Sequence, residues 1–188
     1  MTPRELKELK GKRRVCALTC YDYSSARVLD RAGVDVLLVG DSLGMVVLGY
    51  DDTKSVTMQD MLSHTAAVCR GAQKTLVVGD MPIGTYGSSQ KALQNAKCFI
   101  DAGAHAVKLE GPVFEQARLL VENKVPVMGH LGLLPQTAKD YKVQGKTQGE
   151  GEKILKDAVA LEKTGVFAIV LECVPSSLAK KITQTISV

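Results

Sequence analysis

The chain has 188 residues, of which 45% are hydrophobic and 23% charged, as in an ordinary globular protein. This length can bury one substantial core and does not require a second domain. The net charge is only +4, and the densest basic cluster, residues 10–14, has no interleaved aromatic residues, which argues against nucleic-acid binding. The chain has no bilayer-spanning apolar stretch and no signal-peptide pattern, so we expect a cytoplasmic protein without a membrane partner.

Short apolar runs alternate with helical patterns along the chain. The predicted strands are residues 14–20, 34–40, 75–80, 105–110, 125–130 and 166–172. The predicted helices lie near residues 3–10, 24–32, 57–71, 89–102, 112–123 and 150–164. Runs rich in Val, Leu and Ile are typical of strands buried on both faces of a parallel sheet. Their alternation with helices predicts an α/β fold with right-handed crossovers.

Side-chain alternation in the last predicted strand favours a barrel. One face would present small or acidic residues, namely Val166, Ala168, Val170 and Glu172. The other face would present the larger residues Phe167, Ile169 and Leu171. Small side chains towards the interior and large side chains towards the exterior favour a (β/α)8 TIM-type barrel. Six strands cannot close such a barrel, and residues 182–188 look like a helix end followed by the start of a seventh strand. We therefore expect one barrel domain over residues 1–188, with its last strands and helices missing from the chain.

Four of the apolar runs end at an acidic residue. These residues are Asp41, Asp80, Glu110 and Glu172. The carboxyl ends of parallel strands meet where such folds bind ligands, so these side chains should converge. Because clustered carboxylates repel one another, we expect a cation among them. Oxygen-only ligands that leave room for water and substrate favour Mg²⁺, and no His/Cys group has zinc-binding spacing.

Each of these residues also has a purely structural interpretation. Asp41 and Asp80 follow glycines, where Asp often forms a turn or caps a helix. Lys108 lies inside a predicted strand and needs a carboxylate or an anionic ligand, which a structural ion pair with Glu110 or Asp80 would supply. Glu172 could cap a helix, or an apolar wall could raise its pKa and make it a general acid or base.

Six motifs resemble those of the ketopantoate hydroxymethyltransferase family, in the family's order. They are Leu18–Tyr23 (LTCYDY), Val39–Met45 (VGDSLGM), Gly79–Pro82 (GDMP), Val107–Gly111 (VKLEG), Gly129–Gln136 (GHLGLLPQ) and Leu171–Pro175 (LECVP). The resemblance implies an enzyme of pantothenate biosynthesis that transfers a hydroxymethyl group from 5,10-methylenetetrahydrofolate to 3-methyl-2-oxobutanoate. It would form 2-dehydropantoate through a Mg-stabilised enolate. It also implies a Mg²⁺-binding barrel that assembles into a large homo-oligomer, a ring of the decamer type.

The resemblance also implies roles for individual residues. The metal-binding set is Asp41, Asp80 and Glu110. The substrate-binding set is Asp41, Ser42, Asp80, Lys108 and His130. Glu172 is the implied catalytic residue, which handles the proton. His130 closes the fifth predicted strand before a Gly-rich turn, a position from which it can orient a substrate oxygen.

Two alternative functions remain open at this point. A Mg²⁺-dependent barrel lyase of the isocitrate lyase and phosphoenolpyruvate mutase group would also use a metal and an enolate. The chain lacks the cysteine-centred catalytic loop of that group. A non-catalytic barrel subunit is the other alternative, because a barrel without its last portion could keep a metal site without turnover.

Overall fold

Six parallel strands form one curled sheet in the computed structural model, which describes residues 1–188. The strands are β1 (Ala17–Thr19), β2 (Val36–Val39), β3 (Leu76–Asp80), β4 (Ala106–Glu110), β5 (Val127–Gly132) and β6 (Ala168–Glu172). Each strand pairs in parallel with the next one along the chain. The sheet does not close on itself, since β1 and β6 each have a single neighbour. The α/β class is confirmed, and the architecture is a half-barrel.

Eight α-helices connect the strands and flank the sheet. They are α1 (Pro3–Lys7), α2 (Tyr23–Ala32), α3 (Leu43–Val46), α4 (Met58–Gly71), α5 (Ser89–Asp101), α6 (Phe114–Glu122), α7 (Gln148–Lys163) and α8 (Ser176–Thr185). A 3₁₀ turn at Thr53–Ser55 precedes α4. Local signals fix the helix ends: Thr57 and Asp60 form a capping box at α4, and Gly33 ends α2 with φ of 80°. None of the eight helices combines the length and apolar character needed to cross a bilayer.

The inner face of the half-barrel changes from apolar to polar along the strands. The inner apolar cluster contains Leu6 of α1 together with Val36, Leu76, Val78, Ala106 and Met128. Because alternate strand residues point the same way, Asp80 and Lys108 continue these inward rows towards the carboxyl ends. A larger cluster of 28 buried residues fills the space between the outer face and the helices. The fold therefore concentrates inward-facing polar groups at one end of the sheet.

Side-chain alternation holds within β6 but not before it. Ala168 and Val170 contact the inner cluster, whereas Ile169 and Leu171 pack against the outer core, as predicted. Phe167 is the exception, because it is a member of the inner cluster. The neighbouring Val166 belongs to the outer core instead of the predicted interior. The prediction fails at these two positions because regular strand geometry begins only at Ala168.

The predicted start of a seventh strand at the end of residues 182–188 is wrong. Helix α8 continues to Thr185, and residues 186–188 belong to no strand. The amide and hydroxyl groups of Ser187 donate hydrogen bonds to Glu162 of α7 at 2.5 and 2.6 Å. Lys10 donates to the carbonyl oxygen of Val188 at 2.6 Å. These bonds hold the segment against α7 and the chain after α1, not against the sheet.

Candidate active site

The predicted site residues come together at the carboxyl ends of the strands. Asp41 and Ser42 follow β2, Asp80 ends β3, Lys108 and Glu110 lie in β4, His130 lies in β5, and Glu172 ends β6. The strand register places Asp80 beside Lys108 and Glu110 beside His130. Asp41, Asp80, Lys108, Glu110 and His130 are all buried. This arrangement forms one polar centre from residues that are far apart in the sequence.

Lys108 and Asp80 form a buried ion pair at the centre of this group. The Lys108 Nζ atom lies 2.6 Å from Asp80 Oδ2, and the two residues are 4% and 2% exposed. Burial lowers the pKa of Lys108, but the carboxylates of Asp80, Asp41 and Glu110 outweigh this effect and raise the pKa. The lysine therefore stays charged, and the prediction that it needs an acidic partner is confirmed.

The centre holds more negative than positive groups. Three buried carboxyl groups, from Asp41, Asp80 and Glu110, surround the single ammonium group of Lys108. Burial raises the pKa of Asp41 to about 7, and the charge of Asp80 adds to this while Lys108 opposes it. Since burial is the main cause, a cation that reached this carboxyl group would favour its ionised form and lower its pKa.

The oxygen donors of this centre suit a hard cation, although they are not preassembled around one. The structure contains no group of three or more His, Cys, Asp or Glu side chains positioned to hold a metal ion. Asp80 Oδ1, however, is buried and has no hydrogen-bond partner. An unpartnered carboxylate oxygen in a site with excess negative charge is the donor chemistry that Mg²⁺ prefers. The metal set Asp41, Asp80 and Glu110 therefore stays a prediction.

The loop after β2 passes close to Asp80. A Cβ atom added at Gly40 would lie 3.0 Å from Ser42 Oγ and 4.0 Å from Asp80 Oδ2. The Ser42 hydroxyl also lies 2.8 Å from the hydroxyl of Tyr21. Ser42 is the N-cap of α3, so Asp41 does not cap that helix. Asp80 does not cap one either, because Ser88 is the N-cap of α5.

His130 lies between two glutamates. Its Nδ1 atom is 3.4 Å from Glu110 Oε2, and its Nε2 atom is 3.2 Å from Glu172 Oε2. These distances suit ion pairs, but their geometry does not give either ring nitrogen a hydrogen bond. Burial lowers the pKa of His130, yet the two glutamates outweigh burial and raise it. The arrangement favours a protonated imidazole ring that holds both carboxylates in place.

Glu172 differs from the sequence-based expectation in two ways. Its side chain is 41% exposed and faces His130, so the expected apolar wall is absent. His130 lowers the pKa of Glu172, and burial only partly opposes this. Glu172 also caps no helix, because α8 begins after Pro175 without a side-chain cap. A glutamate with a lowered pKa is ionised at neutral pH, which is the state that a general base requires.

Gln136 belongs to the same centre, although sequence reasoning gave it no role. It is 1% exposed, and its side-chain Nε2 donates a hydrogen bond to Asp41 Oδ2 at 2.8 Å. Its backbone N–H donates to Glu110 Oε1 at 2.9 Å. The available signal was a polar residue after Leu-Leu-Pro in the last positions of a Gly-rich motif. That signal identifies neither of its two partners.

Comparison with known proteins identifies relatives over the whole chain. The family model described as ketopantoate hydroxymethyltransferase matches residues 1–188. The 3-methyl-2-oxobutanoate hydroxymethyltransferase of Clostridium botulinum (strain Loch Maree / Type A3) is 51% identical, and the match covers 100% of this chain and 71% of that protein. The enzyme of the same name from Ignicoccus hospitalis is 50% identical, over 97% of this chain and 72% of its own length.

Solved structures share the fold at much lower identity. A 2,3-dimethylmalate lyase, a PEP mutase/isocitrate lyase superfamily member, matches with a TM-score of 0.74 and 18% identity, over 98% of this chain and 69% of its own. Phosphonopyruvate hydrolase in complex with oxalate and Mg²⁺ matches with a TM-score of 0.70 and 14% identity, over 92% of this chain and 63% of its own. These matches support the TIM-type barrel architecture only. The sequence matches, at 50% identity and above, decide between the candidate families: the chain belongs to the ketopantoate hydroxymethyltransferase family.

Proposed function

We propose that this chain is a 3-methyl-2-oxobutanoate hydroxymethyltransferase of pantothenate biosynthesis. It transfers a one-carbon unit from 5,10-methylenetetrahydrofolate to 3-methyl-2-oxobutanoate and forms 2-dehydropantoate. The observation that carries the proposal is the full-length family match, with relatives of that name about 50% identical. The match includes every residue of the polar centre, and the chemistry of that centre suits a 2-oxo acid.

The oxo acid brings a carboxylate and a keto oxygen, which can share one divalent ion. We assign that ion to Asp41 and Asp80, with Glu110 beside them. Bound Mg²⁺ would supply Lewis acidity toward the two substrate oxygens. Lys108 neutralises the substrate carboxylate from within β4, and the hydroxyl of Ser42 donates a hydrogen bond to the same carboxylate. The buried Asp80 Oδ1 atom, which has no hydrogen-bond partner, supports this assignment.

Glu172 acts as the base that removes the C3 proton of the oxo acid. Its position at the end of β6 places an ionised, partly exposed carboxylate at the margin of the buried centre. His130 orients this carboxylate through its Nε2 atom, 3.2 Å away. Loss of the C3 proton leaves a carbon nucleophile, which forms a C–C bond to the methylene carbon that the folate supplies. The two bonds from this carbon to the folate nitrogens break, tetrahydrofolate leaves, and one water molecule supplies the hydroxyl oxygen of the product.

Product formation tests the proposed activity. Purified protein would be incubated with 3-methyl-2-oxobutanoate, Mg²⁺ and 5,10-methylenetetrahydrofolate, and 2-dehydropantoate would be measured by mass spectrometry. We expect product only when all three are present, and none after chelation of the metal. A folded protein that binds the oxo acid but forms no product would instead support the non-catalytic subunit.

The metal assignment has a separate test in Asp80→Asn. Removal of this ligand should weaken Mg²⁺ and oxo-acid binding together, each by roughly 10-fold or more in calorimetric titrations. Asp101→Asn, an exposed carboxylate at the end of α5, is the matched control and should bind as the wild type does. Wild-type Mg²⁺ affinity in Asp80→Asn would remove Asp80 from the metal set.

We also propose that the protein works in the cytoplasm as a homo-oligomer. Both assignments come from the resemblance to the family. Sedimentation velocity on the purified protein measures the oligomeric state directly, and a monomer at micromolar concentration would contradict the homo-oligomer.

A further inference from the structure

Every hydrogen-bonding group of the buried Gln136 side chain is in use. Its Nε2 atom donates to Asp41 Oδ2 at 2.8 Å and to the backbone carbonyl oxygen of Met81 at 3.0 Å. Its Oε1 atom accepts a hydrogen bond from the Tyr86 hydroxyl. Its backbone N–H donates to Glu110 Oε1. One residue therefore joins the loops that follow β2, β3 and β5 to the end of β4.

These partners allow only one orientation of the amide group. The Met81 carbonyl oxygen can only accept a hydrogen bond, and the ionised Asp41 carboxylate can only accept one too, so the atom facing them must be the NH₂ group. Tyr86 can then donate to the remaining oxygen. A flipped amide would place two acceptors against an oxygen and leave the buried carboxylate without a donor. The side chain is thus locked as a donor towards Asp41.

We propose that Gln136 is a positioning residue that orients the Asp41 and Glu110 carboxylates for the divalent ion and the oxo acid. This inference rests on the proposed metal site. Gln136 engages one oxygen of each carboxylate, Asp41 Oδ2 and Glu110 Oε1, so it fixes the rotation of both groups. The other oxygen of each carboxylate makes no bond to Gln136 and is left for other partners in the site. In Glu110 that oxygen, Oε2, faces His130.

The bridge matters because the two carboxylates come from non-adjacent strands. Asp41 follows β2 and Glu110 ends β4, with β3 between them. Neither carboxylate makes a hydrogen bond to the other, and Gln136 is bonded to both. Outer residues that orient ligand groups typically change metal affinity by about 10–100-fold when they are removed.

Gln136→Met tests the inference, since it keeps the length of the side chain and removes its donor and acceptor. Mn²⁺ would be titrated into the intact protein and followed by electron paramagnetic resonance, which needs no turnover. We expect a roughly 10–100-fold weaker Mn²⁺ affinity. We also expect kcat to recover at saturating metal while the half-saturating metal concentration stays raised. A residue with only a structural role would not separate these two quantities.

Matched variants keep the outcome interpretable. Gln116→Met makes the same change at a neighbouring glutamine that bonds no site carboxylate, and it should bind Mn²⁺ as the wild type does. Tyr86→Phe removes only the donor to Gln136 Oε1 and should weaken Mn²⁺ binding by about five-fold. This variant decides the question if Gln136→Met does not fold, and unchanged affinity in it would then overturn the inference.

The results also separate this inference from the proposed function. Wild-type Mn²⁺ affinity in a folded Gln136→Met protein would overturn the role of Gln136 and leave the metal site intact. Absence of Mn²⁺ binding in the wild type would overturn both. Weakened binding in Gln136→Met, with normal binding in Gln116→Met, supports the positioning role.

Discussion

Glu172 is the residue on which the proton transfer depends. Glu172→Gln keeps the size of the side chain and removes its basicity, so oxo-acid binding should stay within a few-fold of wild type. Exchange of the C3 proton with solvent deuterium, followed by NMR, should slow by roughly 10²-fold or more. Glu122→Gln, on an exposed position of α6, serves as the control. Exchange at the wild-type rate in Glu172→Gln would exclude Glu172 as the base.

Asp35 predicts how the stability of the protein depends on pH. Arg13 donates two hydrogen bonds to this carboxylate, at 2.6 and 2.8 Å, and the backbone N–H of Cys16 donates a third. The bond to Arg13 is the main cause that lowers the pKa of Asp35 to about 2, against the opposing effect of burial.

Because the folded-state pKa of Asp35 lies below the unfolded value of about 3.9, the unfolded state binds more protons between these values. The stabilisation, about 2 kcal/mol, is complete above the unfolded pKa and is lost as the pH falls towards 2. The free energy of unfolding would be measured in urea for the wild type and for Asp35→Asn from pH 6 to pH 2.5. It should fall less steeply with falling pH in the variant. Equal slopes would contradict the prediction.

At the scale of single residues, the sequence predicted the acids of the site but not the links between them. Strand ends and the alternation of strand side chains were enough to bring Asp80, Lys108 and Glu110 together. The sequence could not predict that Gln136 bonds to Asp41, because 95 residues separate them. The position of His130 between two glutamates depends on the register of three strands, which no local pattern specifies.

At the scale of elements, all six strands were predicted, and the largest boundary error lies at the start of the first one. Residues 14–20 were expected as a strand, but β1 is only Ala17–Thr19. It has one neighbour, so fewer ladder hydrogen bonds extend it. Helix α3 was not predicted because it has four residues, includes Gly44 and lacks a side-chain cap.

The contact between β3 and α5 gives a prediction at this scale. Gly79 packs directly on Phe99, and an added Cβ would lie 2.4 Å from the ring. Gly79→Ala should therefore lower the free energy of unfolding by about 1–3 kcal/mol in denaturant titrations. Gly149→Ala, in α7, meets nothing within 4 Å and should raise it by about 0.5–1 kcal/mol. An equal gain at both positions would mean that Phe99 moves aside at no cost.

At the scale of the whole molecule, the sequence predicted the barrel class but not the space inside it. A mostly apolar hollow of about 620 Å³ lies near the start of the strands and is lined by Leu6, Val36, Met128 and Phe167, among others. Alternating patterns specify which face of each strand is apolar. They do not specify how completely facing side chains fill the volume between them.

Ligand binding should stabilise the whole molecule in a metal-dependent way. At 100 times its dissociation constant, a ligand that binds only the folded state adds about 2.7 kcal/mol. For a chain of this size, that corresponds to a rise of roughly 5–10 °C in Tm. We expect this rise with 3-methyl-2-oxobutanoate and Mg²⁺ together, and a clearly smaller one with the oxo acid alone, by differential scanning calorimetry. Equal rises in Tm with and without Mg²⁺ would show that the oxo acid binds independently of the metal.

The free side of β6 has a chemical consequence for Glu172. The N–H and C=O groups on that side are available to an additional extended segment, from any source. Such a segment would shield the adjacent Glu172 carboxylate, now 41% exposed, from water and make it more basic. The strength of this base would therefore depend on how completely the outermost strand is covered.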